Sequence, residues 1–156
     1  MAVILIVDDD QLMVEMIAGA LRPLGHCVDT LDDGLHVIDV VHLERPALVI
    51  LDCTMPQIGG IDALRQIRSS GSCRNTPVMM LTSRRSAADE ELARGAGAND
   101  YLRKPFGLAQ LVGRIDAQLF KAGWKPGAAA TGQSEPPAAG GLHPAPKSSP
   151  IAARIG

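Results

Sequence analysis

A chain of 156 residues, 46% of them hydrophobic, is long enough for one packed domain, or for one domain and a tail. A formal net charge of −2 offers no basic surface to nucleic acid, and three cysteines without a C-x-x-C pair offer neither a disulfide framework nor a zinc site. The cysteines suit a reducing cytosol, the first strand starts too close to Met1 for a signal peptide, and no apolar run approaches the ~18 residues of a membrane span, so the expected localisation is cytoplasmic.

Residues 2–7 are an apolar strand that ends in Asp8-Asp9-Asp10. Helix period follows, with Met13, Met16, Ile17, Ala20 and Leu21 expected on the inner face and Gly25 past the helix end. Residues 27–31 read as a short edge strand. Asp32-Asp33-Gly34 opens a helix with Val37, Ile38 and Val41 inward, and Pro46 stops it.

Leu48-Val49-Ile50-Leu51-Asp52 is a strand apolar enough to be buried on both faces, and it ends in a carboxylate. Pro56 and Gly59-Gly60 turn the chain into a loop. Residues 60–69 carry Ile61, Leu64 and Ile67 at helical spacing, and 70–76 form a polar loop. Residues 77–81 are another buried strand, ending in Thr82-Ser83. Ser86 is placed to cap a helix reaching about Arg94, with Asp89, Glu90 and Glu91 in its early turns. Its apolar face holds only Ala88, Leu92 and Ala93, which predicts the least firmly packed helix. Residues 100–103 are a last short strand leading into Lys104-Pro105-Phe106, and the final helix presents Leu108, Leu111, Val112, Ile115 and Leu119.

Strand and helix alternate five times. This pattern predicts an α/β domain over residues 1–121: a five-stranded parallel sheet of flavodoxin-like order 2-1-3-4-5, with helices on both faces. Residues 122–156 are rich in Pro, Ala and Gly and read as a disordered tail. Trp124 and Ile151 are its only candidates for docking, and both are expected to be solvent-exposed. The tail is basic, with Lys125, Lys147 and Arg154 against Glu135, so the acidic character lies in the folded part.

In that strand order the first and third strands are neighbours, and Asp8, Asp9 and Asp52 converge at one sheet edge. Three carboxylates raise one another's pKa unless a cation joins them. A hard divalent ion fits: Mg²⁺, with Mn²⁺ as a substitute, held by these carboxylates, a backbone carbonyl two residues past Asp52, and water. A metal-bound carboxylate at an open strand end is also a nucleophile toward phosphorus. Lys104 and Thr82 close the neighbouring strands, so they offer the cation and the hydroxyl that a phosphoryl group needs. Asp10 reads as a helix N-cap rather than a ligand, and Cys53 as a buried thiol. His26, His36, His42 and His143 share no ligand spacing.

These pieces, in order, resemble the receiver domain of bacterial two-component response regulators over roughly residues 2–120. The resemblance rests on Val7-Asp8-Asp9, Leu51-Asp52 with Met55-Pro56 and Gly60, Leu81-Thr82-Ser83, and the run from Asp100 to Phe106. It implies that Asp52 accepts a phosphoryl group from a histidine kinase or phosphotransfer protein. Asp9, Asp52 and the Thr54 carbonyl would bind Mg²⁺ directly, and Asp8 would act through a metal-bound water. Lys104 would pair with the phosphoryl oxygens, Thr82 would hydrogen-bond to them, and Tyr101 would swing inward. Thr54 and Arg84 would tune hydrolysis. A downstream protein would bind the face made by the fourth helix, fifth strand and fifth helix. The expected role is a stand-alone phosphoacceptor signalling protein rather than an enzyme, without nucleic-acid or membrane partners; Gly59 departs from an often acidic family position.

Two other readings remain open on sequence. Asp8-x-Asp10 after an apolar strand also resembles haloacid-dehalogenase-type phosphatases, although the later acidic pair is incomplete, Leu12 is unusual there and no cap insertion is present. A receiver-like binding module that no longer uses phosphate is the other.

Overall fold

In the computed structural model, residues 2–83 and 87–124 are described. The apolar runs become five strands: β1 (Val3–Val7), β2 (Cys27–Leu31), β3 (Leu48–Asp52), β4 (Val78–Thr82) and β5 (Asp100–Arg103). Between and after them lie α1 (Gln11–Leu21), α2 (Val37–Glu44), α3 (Gly60–Ser69), α4 (Ala87–Gly95) and α5 (Leu108–Lys121). The strands pair in parallel in the order β2-β1-β3-β4-β5. This is the expected flavodoxin-like arrangement. Among the described residues no helix is long and apolar enough to cross a membrane.

Strand side chains alternate between the two faces, so one sheet serves two cores. Leu5, Val7, Val49, Leu51, Val78, Met80 and Tyr101 face a core completed by α2, α3 and Ala93 of α4. Ile4, Ile6, Leu48, Ile50, Met79, Leu81 and Leu102 face one completed by α1 and α5. All five residues of β3 and of β4 are buried. Each large side chain removed from water in this way contributes roughly 1.5–3 kcal/mol, which makes these two strands the rigid base for the residues at their ends.

The packing of α1 differs from the expected stripe. Val14, Ile17, Ala18 and Leu21 are buried, whereas Met16 is 40% exposed and Met13 and Ala20 lie at the margin. Two helical stripes share Ile17 and Leu21. The one containing Ala18 brings the helix closer to the sheet, and Met16 is left outside while Met13 packs at the edge of the core. Trp124 also departs from expectation: it is half-buried, packs against the core beneath α1 and α5, and its ring lies 5.1 Å from that of His26. The Ser86 cap, Ile151 and the rest of 125–156 fall outside the described residues.

Two helices are attached very differently. On α4 only Ala93 is buried and Leu92 is 46% exposed, as its thin apolar face predicted. By contrast, α3 is held at both ends. At its C-terminus Arg68 donates to the carbonyls of Gly97, Arg74 and Thr76 and to Asn99 Oδ1, all within 2.9 Å. At its N-terminus Gly60 lies so close to β3 that a Cβ would overlap the Asp52 carbonyl oxygen and stand 2.9 Å from Cys53 Cα. The Gly60 N–H donates to the Cys53 carbonyl at 3.1 Å. Gly60→Ala therefore forces α3 and the end of β3 apart. Expected is a loss of about 1–3 kcal/mol in denaturant unfolding; an unchanged unfolding midpoint would show that the approach is not tight.

Candidate functional site

The strand register assembles the site. Val7 pairs with Leu51, so the residues that follow them, Asp8 and Asp52, leave β1 and β3 side by side. Asp52 pairs with Leu81, which places Thr82 one step further along β4. Thr82 pairs with Arg103, and the next residue, Lys104, donates its backbone N–H to the Thr82 carbonyl at 2.7 Å. Four strand ends thus deliver their side chains to one sheet edge, where open α/β sheets bind ligands.

Asp8, Asp9 and Asp52 each offer a carboxylate oxygen, and these atoms lie within 4.8 Å of one another. Asp8 and Asp52 are buried, at 1% and 6% exposure, while Asp9 faces solvent. Lys104 Nζ donates to Asp8 Oδ2 at 2.9 Å and reaches Asp52 Oδ1 at 3.5 Å. Asp10 stands apart as the N-cap of α1, accepting from the N–H groups of Leu12 and Met13, while its own N–H donates to Asp8 Oδ1.

Burial pushes the Asp52 carboxyl pKa up, and the neighbouring Asp8 charge pushes it further; Lys104 and the Thr54 N–H oppose this only in part. For Lys104 burial acts downward, but the hydrogen bond to Asp8 and the charges of Asp52 and Asp8 outweigh it, so its pKa is raised. The donor set is all oxygen, anionic, and open to water on the Asp9 side. It fits a hard divalent cation that keeps part of its hydration shell.

Thr82 is fully buried beneath this edge. Tyr101, expected to swing inward, already lies inward with 4% exposure. Its hydroxyl is buried without a well-formed hydrogen bond among the described residues, although the Thr82 hydroxyl is near enough to offset part of the rise in pKa that burial causes. Thr54 is exposed beside Asp52, and Arg84 lies outside the described residues. Sequence reasoning missed a contact rather than a residue: Lys104 binds Asp8 more closely than it binds Asp52. No spacing along the chain could reveal this, because the two residues are 96 positions apart.

Beyond Tyr101, a shallow cleft of about 330 Å³ runs between α4, β5 and α5. Glu90 pairs with Arg94 on its own helix and with Arg103 across the cleft, and Arg114 pairs with Asp100 at 2.7 Å.

The raised pKa of Asp52 has a consequence for stability. Its contribution is complete below the ordinary value of 3.8 and is lost as pH rises through the higher folded-state value. In metal-free buffer, Asp52→Asn is therefore more stable than the unsubstituted chain at pH 7, and the difference disappears below about pH 4. Thermal unfolding with a chelator at both pH values checks this; a variant destabilised at pH 7 would show that the ionised carboxylate is favourable without metal.

Comparison with known proteins agrees with this geometry. The family model for the response regulator receiver domain matches residues 4–116. The response regulator MprA of Mycobacterium sp. strain KMS is 39% identical over 116 residues, which cover 74% of this chain and 50% of that protein. MprA of Mycobacterium avium strain 104 is 38% identical over the same length. The chain spans about half the length of the curated relatives it matches. Among solved structures, the receiver domain of the sensor histidine kinase PA1611 from Pseudomonas aeruginosa PAO1, with magnesium coordinated in its active site cleft, is 32% identical. It superposes with a TM-score of 0.70 over 76% of this chain and 98% of that one. The chemotaxis protein CheY4 of Vibrio cholerae is 28% identical, with a TM-score of 0.71 over 75% of this chain and 98% of that one. With the family model matching most of the folded part, this chain belongs to the response regulator receiver domain family.

Proposed function

We propose that Asp52 is a phosphoacceptor and that the domain is a phosphorylation-controlled binding switch. The observation that carries this reading is the position of the Asp52 carboxylate: at a strand end, beside two further carboxylates, and 3.5 Å from a lysine ammonium. An Asp52 oxygen attacks the phosphorus of a phosphohistidine or a small phosphodonor. A P–O bond forms, the P–N or P–O bond to the donor breaks, and the leaving group departs with its electron pair. Asp8, Asp9 and Asp52, together with the Thr54 carbonyl, would hold Mg²⁺ or Mn²⁺, which supplies charge neutralisation for the incoming phosphoryl oxygens.

The chain's own groups do the rest. Lys104 is already poised between Asp8 and Asp52, and a short movement along this edge lets it pair with a phosphoryl oxygen. Thr82 supplies a hydroxyl to the same group, and Tyr101, packed against it, fixes which way the strand end can adjust. Phosphoryl transfer is mostly positioning and charge stabilisation, so these groups suffice. Thr54, exposed beside Asp52, borders the path of a hydrolytic water, and the tuning role given to Arg84 rests on the family resemblance alone. A partner protein reads the result at the α4–β5–α5 cleft, where the weakly packed α4 is the element with the least to lose by shifting. The phosphoryl donor is a histidine kinase or phosphotransfer protein.

Intact mass after incubation with Mg²⁺ and a small phosphodonor tests this. One phosphoryl adduct is expected in the unsubstituted chain, lost with chelator and lost in Asp52→Asn. Lys104→Ala slows its formation by about tenfold or more. An adduct that survives Asp52→Asn but not Asp8→Asn would move the nucleophile to Asp8 and replace the receiver mechanism with that of a phosphatase.

A further inference from the structure

At the sheet edge opposite the carboxylates, the turns entering β3, β4 and β5 and the end of α5 border a cleft of about 420 Å³. Its wall carries three carboxamides, one ammonium and one indole, those of Asn75, Asn99, Gln118, Lys121 and Trp124. None of these groups belongs to the carboxylate site.

Several polar atoms on this wall are unpaired. Gln118 is only 6% exposed, yet its carboxamide has no hydrogen-bond partner among the described residues. A polar group buried to that degree is destabilising unless something meets it from the cleft. Asn99 Oδ1 already accepts from Arg68 Nη2 at 2.8 Å and from the Val78 N–H at 2.9 Å, which leaves its amide nitrogen to donate. Lys121 has no ion-pair partner among the described residues, and the wall includes no carboxylate. Trp124 is fixed at the rim: its N–H donates to the Leu119 carbonyl at 2.9 Å, and its ring packs on that of His26.

Hydrogen-bond donors beside an indole call for a chain rich in carbonyls, poor in N–H groups and bearing flat apolar rings. Extended proline-rich sequence has those properties: proline carries no N–H, its neighbours' carbonyls point outward, and its ring packs on aromatic faces. This chain carries such a sequence close by. Beyond Trp124 the only acidic side chain is Glu135, followed at once by Pro136-Pro137. Glu135 stands eleven positions past Trp124, a reach of roughly 36 Å at full extension, and the cleft begins at Trp124 itself. A tether of this length holds the segment at an effective concentration of about millimolar, so modest contacts suffice.

We propose that the cleft is the docking site of this chain's own Glu135-Pro136-Pro137 segment. A proline ring packs on the Trp124 indole, backbone carbonyls of the segment accept from Gln118 and Asn99, and the Glu135 carboxylate pairs with Lys121. Charge selects this segment over Pro144 and Pro146, which run into Lys147. The contact ties the C-terminal part of the chain to the edge opposite Asp52.

Trp124 is the chain's only tryptophan, so its fluorescence reads the cleft directly. In the full chain, Pro136→Gly combined with Pro137→Gly is expected to red-shift the emission and raise its quenching by acrylamide. Lys121→Glu and Glu135→Lys each lower the docked-to-free ratio by about two- to fivefold, the range of an exposed ion pair, and combining them restores it. Unchanged emission and quenching in the proline variant would overturn the proposal. So would a combined charge variant in which the two losses simply add. Protection of Trp124 that grows with protein concentration would also overturn it, because the segment would then fill the cleft of a second copy.

Discussion

The ammonium of Lys104 stands between two buried carboxylates, 2.9 Å from Asp8 and 3.5 Å from Asp52, and the rest of the fold can be understood as what holds it there. The lysine comes from the end of β5 and the carboxylates from β1 and β3, so the ion pairs span the width of the sheet from its centre to one edge. A parallel sheet presents all of those ends on one side, and this strand order and register make them neighbours. The two buried strands between and beside them, β3 and β4, are fully apolar up to their last residues. Their burial sets the position of the charged groups that follow.

That arrangement is electrostatically unfinished. Three carboxylates meet one ammonium, and among the described residues two negative charges are left without a counter-ion in the immediate cluster. The upward displacement of the Asp52 pKa is the sign of this imbalance, with burial as its larger cause and Asp8 as its second. A group in that condition gains from a cation, and after that from anything that turns its single charge into a better-solvated one. The solvent-facing Asp9 is the side from which both can arrive.

Much of this was legible in the chain because the signals are local. Leu48–Asp52, Gly60–Ser69 and Asp100–Arg103 have the same limits in the structure as in the sequence reading, since buried strands ending in a charged residue and a helix starting at glycine leave little freedom. What was not legible depends on packing between distant segments. The α1 face was misread because two stripes satisfy the same period, and only contact with the sheet decides in favour of Ala18 over Met16. Trp124 was expected in solvent because its neighbours in sequence are tail-like, yet His26, nearly 100 residues earlier, provides it with a ring to pack against. The inward position of Tyr101 and the preference of Lys104 for Asp8 are side-chain choices of the same kind.

The close approach of Gly60 to the carbonyl of Asp52 makes the surroundings of that carboxylate mechanically lopsided. On one flank, α3 abuts the strand with no room for even a methyl group, and Arg68 bolts its far end to two loops. On the other, α4 rests on a single buried alanine. A push delivered at Asp52 meets a hard stop in one direction and a yielding plate in the other. The site therefore has a built-in direction of travel, independent of which molecule does the pushing.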